Sequence, residues 1–292
     1  MADIIYIANM ECGGKFVRDI VKHELKISTG LLTKLKKSGG IKINDKIVTV
    51  SEKVKNGDIL TIDFPQENSS SISPVNIPLD IIYEDQYILA VNKPKDMPTH
   101  PSAGNRYNTL GNACMYYYKN SGFVYRPITR LDRDTTGIVI IAKDARTASL
   151  LSEQMQKGHF NKTYYAITQG IPATTSGTIN APIGRADGSI LKRKVRKDGQ
   201  SAITNYTVIA TKQSNALVKI NLLTGRTHQI RVHFSHIGCP LLYDYMYGTE
   251  IPGETLYLHC GEISFIHPIT ENLISLKVKP VFPLFNEYLG AY

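Results

Sequence analysis

The chain has 292 residues, with 34 Lys and Arg against 25 Asp and Glu for a formal charge of +9; 42% of its residues are hydrophobic and 20% charged. That balance belongs to a folded chain rather than a disordered one, and the length suits two domains or one large domain with an appendage. No apolar run approaches the roughly 18 residues that cross a bilayer, and Met1 to Gly14 lacks the basic patch and apolar stretch of a signal peptide. Membrane and secreted proteins are therefore disfavoured. Cys12, Cys114, Cys239 and Cys260 lie far apart, with no Cys-x-x-Cys and no zinc-finger spacing. Four reduced thiols in a cytoplasmic protein are expected, without a disulfide framework.

The positive charge is unevenly spread. Between Lys15 and Lys55, eleven Lys and Arg face four acids, a net +7. Phe16 and Ile20, with Val17, Val21 and Leu25, recur at four-residue steps, the stripe of an amphipathic helix. A second helix is predicted over 31–37, with Leu31, Leu32 and Leu35 inward, Lys34, Lys36 and Lys37 outward, and Gly39-Gly40 as its stop. Residues 41–43, a turn at Asn44-Asp45 and residues 47–50 read as a hairpin; Asn56-Gly57-Asp58 turns into a strand over 59–64, where Leu60, Ile62 and Phe64 share a face. Two basic helices followed by small strands resemble the S4 domain, a compact RNA-binding module, so 1–64 is expected to be an S4-like α+β domain. The alternative is an appendage whose lysine face is merely solvated.

Residues 65–78 are rich in Ser, Pro and Asn and read as a linker. From 79 to 292 short apolar strands alternate with a few helices. Residues 88–91 and 138–141 look like buried strands; Asp144 can cap a helix over 145–157, ended by Gly158. Further strands are predicted over 164–168, 202–210, 216–223 and 274–278. The expected body is α+β: mainly antiparallel β, with helices packed on it.

Two stretches carry the chemistry. Arg130-Leu131-Asp132-Arg133-Asp134-Thr135-Thr136-Gly137 sets two carboxylates and two guanidiniums beside an apolar strand. Burying such charges unpaired costs several kcal/mol each, so either they form a surface ion-pair knot or they line a site. Thr224-Gly225-Arg226-Thr227-His228-Gln229-Ile230-Arg231-Val232-His233 follows a strand. Thr227 is the expected N-cap of a helix through His236, with Ile230, Phe234 and Ile237 inward. Arg226 falls at the strand-to-helix turn. His228 and His233 are five apart, which suits no metal.

Together these segments resemble the RluA family of pseudouridine synthases. Asn92-Lys93-Pro94 with His100-Pro101, Lys162-Thr163-Tyr164 and Tyr247-Gly248 support the match, which spans about residues 80–280 and rests on joint order and spacing. The resemblance implies an isomerase that converts uridine in RNA to its C-glycoside without cofactor or metal. It implies Asp132 as the catalytic aspartate, Arg226 as its ionic partner and Tyr164 against the target base. A flipped-out uridine needs an aromatic face with a basic rim, and a neighbouring guanidinium favours the charged carboxylate. Arg130, Arg133, His228, Gln229 and Arg231, with Lys34, Lys36 and Lys37, are the expected RNA contacts. The expected partner is structured RNA, ribosomal first and transfer RNA second, bound by a monomer.

Three positions depart from the family pattern. Thr129 stands for a common His, Asp96 for a Gly after Lys93-Pro94, and Tyr243 for a Gly before Asp244. Losing Gly removes easy access to positive φ, which leaves substrate choice and loop conformation open there. The basic run 192–197 either reaches phosphates or is a solvated hairpin tip. Tyr116-Tyr117-Tyr118 is explained by packing. A non-catalytic RNA-binding or ribosome-assembly factor on the same fold is the competing reading, against which Asp132, Arg226 and Tyr164 stand as a set; a hydrolytic glycosylase is the third.

Overall fold

Strands Ile4–Ile7 (β1), Ile41–Ile43 (β2), Lys46–Ile47 (β3) and Ile59–Ile62 (β4) form a sheet ordered β1-β4-β2-β3 in a computed structural model that describes residues 4–64, 71–282 and 285–289. Asn44 and Asp45 make the β2–β3 turn with φ of 46° and 65°, a left-handed pair that short polar residues tolerate and that matches strand twist. The second hairpin strand stops at Ile47 because Thr49 N–H turns away to Glu52 Oε1, at 2.8 Å. Val17–Asp19 (α1) runs straight into a π-helical turn, Ile20–Glu24, and Thr29–Ser38 forms α2. Val17, Ile20, Val21, Leu25, Leu31, Leu32 and Leu35 are all buried against Leu60 and Ile62. Lys34, Lys36 and Lys37 are exposed. Ser28 caps α2, and Gly39 ends it at φ 67°.

Residues 65–70 of the expected linker lie outside the described residues. The remainder, 71–78, is seated on the body: Ile72 and Ile77 pack on its core, Val75 N–H donates to Asn112 O, and Asn112 Nδ2 donates to Ser73 O. The N-terminal unit also touches the body. Ala145 packs on its core, Arg146 Nε donates to Leu25 O at 3.2 Å, and Lys26 pairs with Glu271.

The body begins with β5 (Ile81–Glu84), β6 (Ile88–Lys93), α3 (Leu110–Tyr117), β7 (Arg126–Pro127), β8 (Thr136–Ala142) and α4 (Ala145–Gln156). It continues with β9 (Asn161–Gln169), β10 (Ser176–Asn180), β11 (Ile183–Arg185), β12 (Arg193–Val195), β13 (Ile203–Lys212) and β14 (Asn215–Leu222). Helix α5 (Gln229–His236), β15 (Leu258–Ile266), β16 (Leu273–Lys277) and α6 (Phe285–Leu289) complete it. Among the described residues ten strands join one sheet along β10-β13-β14-β9-β15-β8-β6-β5, with β16 on β15 and β7 on β8; β11 and β12 form a separate ribbon. The fold is mixed α+β and mainly antiparallel. No described helix is long and apolar enough to cross a membrane.

Strands β6 and β8, read from sequence as buried, are interior strands of the sheet, and every β8 residue is buried. Asp144 caps α4 by accepting from Thr147 N–H. The four cysteines are free and buried, and Tyr117 and Tyr118 spend their hydroxyls on Glu84. The sheet's parallel contact, β8 on β15, pairs Thr136 with His259 and Gly137 with Cys260. Gly137 has φ 108°, and a Cβ there would sit 2.3 Å from Cys260 O. Gly137→Ala is therefore expected to destabilise the fold by about 3 kcal/mol or more, read as a lower urea midpoint. A wild-type midpoint would mean that the two strands do not approach this closely.

Candidate active site

The loop 128–135 between β7 and β8 is held from below. Leu131 N–H donates to Thr99 Oγ1 at 3.1 Å, and that hydroxyl donates to Leu131 O at 2.8 Å. The fully buried Lys93 ammonium donates to Pro94 O, Met97 O and Arg133 O at 2.8, 2.8 and 3.0 Å. Burial pushes Lys93 down to about 7, against the opposing fields of Asp134, Asp132 and Asp96. Its three carbonyl acceptors engage all three hydrogens of the charged form. Arg133 is bound to Asp134 through two hydrogen bonds of 2.9 and 3.2 Å. The charged cluster thus resolves both ways: Arg133 and Asp134 form an ion pair, while Arg130 and Asp132 line a cleft.

That cleft has a volume of about 70 Å³ and is also lined by Tyr164, Arg226, His228 and Arg231. The charge beside Asp132 belongs to Arg231, whose Nη1 lies 3.5 Å from Asp132 Oδ2. Arg226 instead turns outward and donates from Nε to Ser201 O at 3.0 Å, so the expected Arg226–Asp132 pair is replaced by Arg231–Asp132. The reason is helix phase. Helix α5 starts at Gln229 behind His228, which has a left-handed φ of 56° and displaces the expected Thr227 cap. Arg231 then points into the interior, and Ile237 ends exposed.

Arg231 is 2% exposed and is gripped by the buried Asp244 through Nε–Oδ2 and Nη2–Oδ1 bonds of 2.8 and 2.7 Å. Burial opposes its charge, but the hydrogen bonds and field of Asp244, with Asp132 behind them, hold it above its ordinary range. Asp244 in turn accepts from Met246 and Tyr247 N–H. One bidentate pair therefore fixes a guanidinium whose free corner faces the cleft carboxylate. Asp244 carried no assigned role in the sequence reading. The available signal was a lone Arg between Ile230 and Val232, which demands a buried counter-charge.

Gln229 and Arg231 were expected to contact RNA, and both lie inside. Gln229 is 2% exposed; its Oε1 accepts from Thr224 Oγ1 and Arg226 N–H, and its Nε2 donates to Ile203 O and Thr204 Oγ1. Its amide is spent on the strand-to-helix turn. Arg130 is exposed at the cleft rim, and Arg133 is half-exposed beside Asp134.

His228 sits deeper than expected. Tyr247 Oη accepts from Arg193 N–H at 2.9 Å and shares a hydrogen bond of 2.8 Å with His228 Nδ1. On the other side of the ring, Nε2 lies 3.9 Å from Asp132 Oδ2. Burial lowers the His228 pKa, against the pull of Asp132, which agrees with a neutral ring. Tyr164, on β9, is buried with its hydroxyl on the Cys260 thiol; burial, then Cys260, keeps it a phenol well above the usual range.

Two of the departures from the family pattern sit in the left-handed region despite the loss of Gly. Asp96 and Tyr243 both adopt positive φ, 58° and 60°, at a cost of about 1–2 kcal/mol for a residue with a Cβ. Tyr243 is braced by an edge contact with Tyr257 at 5.1 Å. Thr129 is buried and accepts from Ile140 N–H.

A sequence profile described as RNA pseudouridylate synthase matches residues 87–236, which contain both motifs and most of the cleft. An uncharacterised RNA pseudouridine synthase of Bacillus subtilis is 40% identical over 255 residues, covering 85% of this chain and 89% of the relative. The ribosomal large subunit pseudouridine synthase D of Haemophilus influenzae is 38% identical over 269 residues, 86% of this chain and 82% of its own. Among solved structures, human RNA pseudouridylate synthase domain containing 4 superposes with a TM-score of 0.56 at 26% identity, over 68% of this chain and 88% of that one. With half the chain under one profile and such identity along most of its length, the protein belongs to the RNA pseudouridine synthase family of isomerases.

Proposed function

We propose that the chain isomerises uridines of ribosomal RNA in the cytoplasm, with Asp132 as the attacking carboxylate. The observation that carries this reading is the Asp132 carboxylate lining the cleft, 3.5 Å from a guanidinium held in place by Asp244. A preorganised charge costs no reorganisation when negative charge moves in the cleft. Asp132 attacks C1′ as the C1′–N1 bond breaks, the freed uracil anion turns in place, C5 attacks C1′ and expels the carboxylate, and C5 gives up its proton while N1 gains one. The ribosomal assignment is supported by the name of the Haemophilus influenzae relative. The N-terminal unit, with exposed Lys34, Lys36 and Lys37 over an apolar core, acts in this reading as an S4-like RNA anchor. Arg130 and Arg226 form the RNA-facing rim.

Pseudouridine mapped in RNA from cells with and without this protein tests the proposal. A position lost from ribosomal RNA is expected; loss confined to transfer RNA would reassign the substrate, and no loss anywhere would overturn the reading.

The Tyr164 hydroxyl is spent on Cys260, so the ring is the part that meets the base. Tyr164→Phe is expected to bind RNA within about threefold of wild type, and Tyr164→Ala to bind clearly worse, since stacking on an aromatic face contributes roughly 1–3 kcal/mol per base. Equal affinities of the Phe and Ala variants would remove the ring from the site.

A further inference from the structure

We propose that the groove between the β11–β12 ribbon and the residues ahead of α5 is a second RNA subsite, which holds by its phosphate a nucleotide flanking the target uridine. The inference rests on RNA being the substrate. The groove has a volume of about 350 Å³ and is lined by Arg185, Arg193, Arg226, Thr227, Asp198 and Gln200, within the roughly 300–1,000 Å³ of small-ligand sites. Arg226 lines the cleft of Asp132 as well, so one side chain borders both cavities.

The charges of the groove are out of balance. Arg185 and Arg193 are directly opposed across the ribbon, and so share one face of it. Like charges in that position destabilise a strand pair. The lining carboxylate, Asp198, is already taken by Arg196 through bonds of 2.6 and 2.8 Å. Among the described residues none of Arg185, Arg193 and Arg226 has a carboxylate partner. Arg193 turns its Nη1 to the carbonyls of Ile190, Leu191 and Lys192, and Arg226 gives its Nε to Ser201 O. A phosphodiester between the opposed guanidiniums converts their repulsion into two charge-assisted contacts, in the geometry that arginine forks favour. The ribbon is also wired to the cleft, because Arg193 N–H donates to the Tyr247 hydroxyl that is hydrogen-bonded to His228. The basic run 192–197 is therefore split. Lys194 and Arg196 are neutralised by Asp187 and Asp198, while Arg193 faces the groove.

The test measures binding of the full chain to an in vitro transcript of large-subunit ribosomal RNA across a salt series. Arg185→Gln/Arg193→Gln removes both guanidiniums from the one phosphate, so the slope of log affinity on log salt is expected to become shallower by about 0.7–0.9. Gln200→Trp fills the groove from an exposed position without changing any charge. It is expected to weaken binding at least fivefold, with an unchanged melting temperature. A wild-type slope in the double variant, or wild-type affinity for Gln200→Trp, overturns the subsite; in the latter case the arginines act only as diffuse surface charge. If the double variant fails to fold, the tryptophan variant alone decides. Pseudouridine formation by the wild-type chain on the same transcript is read separately. Its absence would sink the ribosomal assignment while leaving the binding result to stand or fall on its own.

Discussion

Asp132→Asn is expected to lower isomerisation by roughly four orders of magnitude or more, the scale of removing a nucleophile, while RNA affinity stays within about threefold. The amide keeps the shape of the side chain but carries no charge and does not attack carbon. The fold should tolerate the change, because Asp132 is partly exposed and its loop is held by Thr99 and Lys93 rather than by its own carboxylate. Binding is spread over many basic contacts and does not depend on one acid. Release of label from RNA carrying tritium at uracil C5 reads turnover, since that hydrogen is lost when C5 bonds to the ribose. Clear turnover by the Asn variant, in a preparation free of wild type, would remove Asp132 from the reaction.

Arg231→Met should cost both stability and turnover, and a second substitution separates the two. Asp244 is fully buried, and losing its guanidinium leaves an unpaired interior charge, a penalty of about 3–5 kcal/mol. In Arg231→Met/Asp244→Asn that charge is gone, and the amide oxygen still accepts from Met246 and Tyr247 N–H. The denaturation midpoint is expected to recover most of its loss. Turnover is not, because Asp132 still lacks the cation 3.5 Å away. Recovery of turnover along with stability would make Arg231 a structural counter-ion and nothing more.

Local chemistry was legible in the sequence wherever a short-range rule decides the outcome. The four-residue apolar step of Val17, Val21 and Leu25 survived even the π-helical turn, because each residue must leave water whatever the hydrogen-bond spacing. Asp144 capped α4, and Gly39 ended α2, through backbone groups within a few residues. The charge cluster at 130–134 left an ion-pair knot and a site both open, and it was the family resemblance that singled out Asp132, which does border a cleft. Strand β1 was not anticipated. Its sequence, Ile4-Ile5-Tyr6-Ile7, is apolar on both faces, so no alternation betrays that Ile5 and Ile7 stay exposed.

What the sequence by itself determined, then, is the class of element at each point and the residue types from which a site can be made. Which arginine serves the carboxylate was decided only by the tertiary structure. Arg226 and Arg231 stand five residues apart in one motif, and both are compatible with an ion pair to Asp132. The left-handed turn at His228 and the inward Gln229 amide set the phase of α5, and Asp244, arriving from a later loop, captured Arg231. A buried charge takes the partner that the fold carries to it, and that encounter depends on contacts between segments distant in the chain.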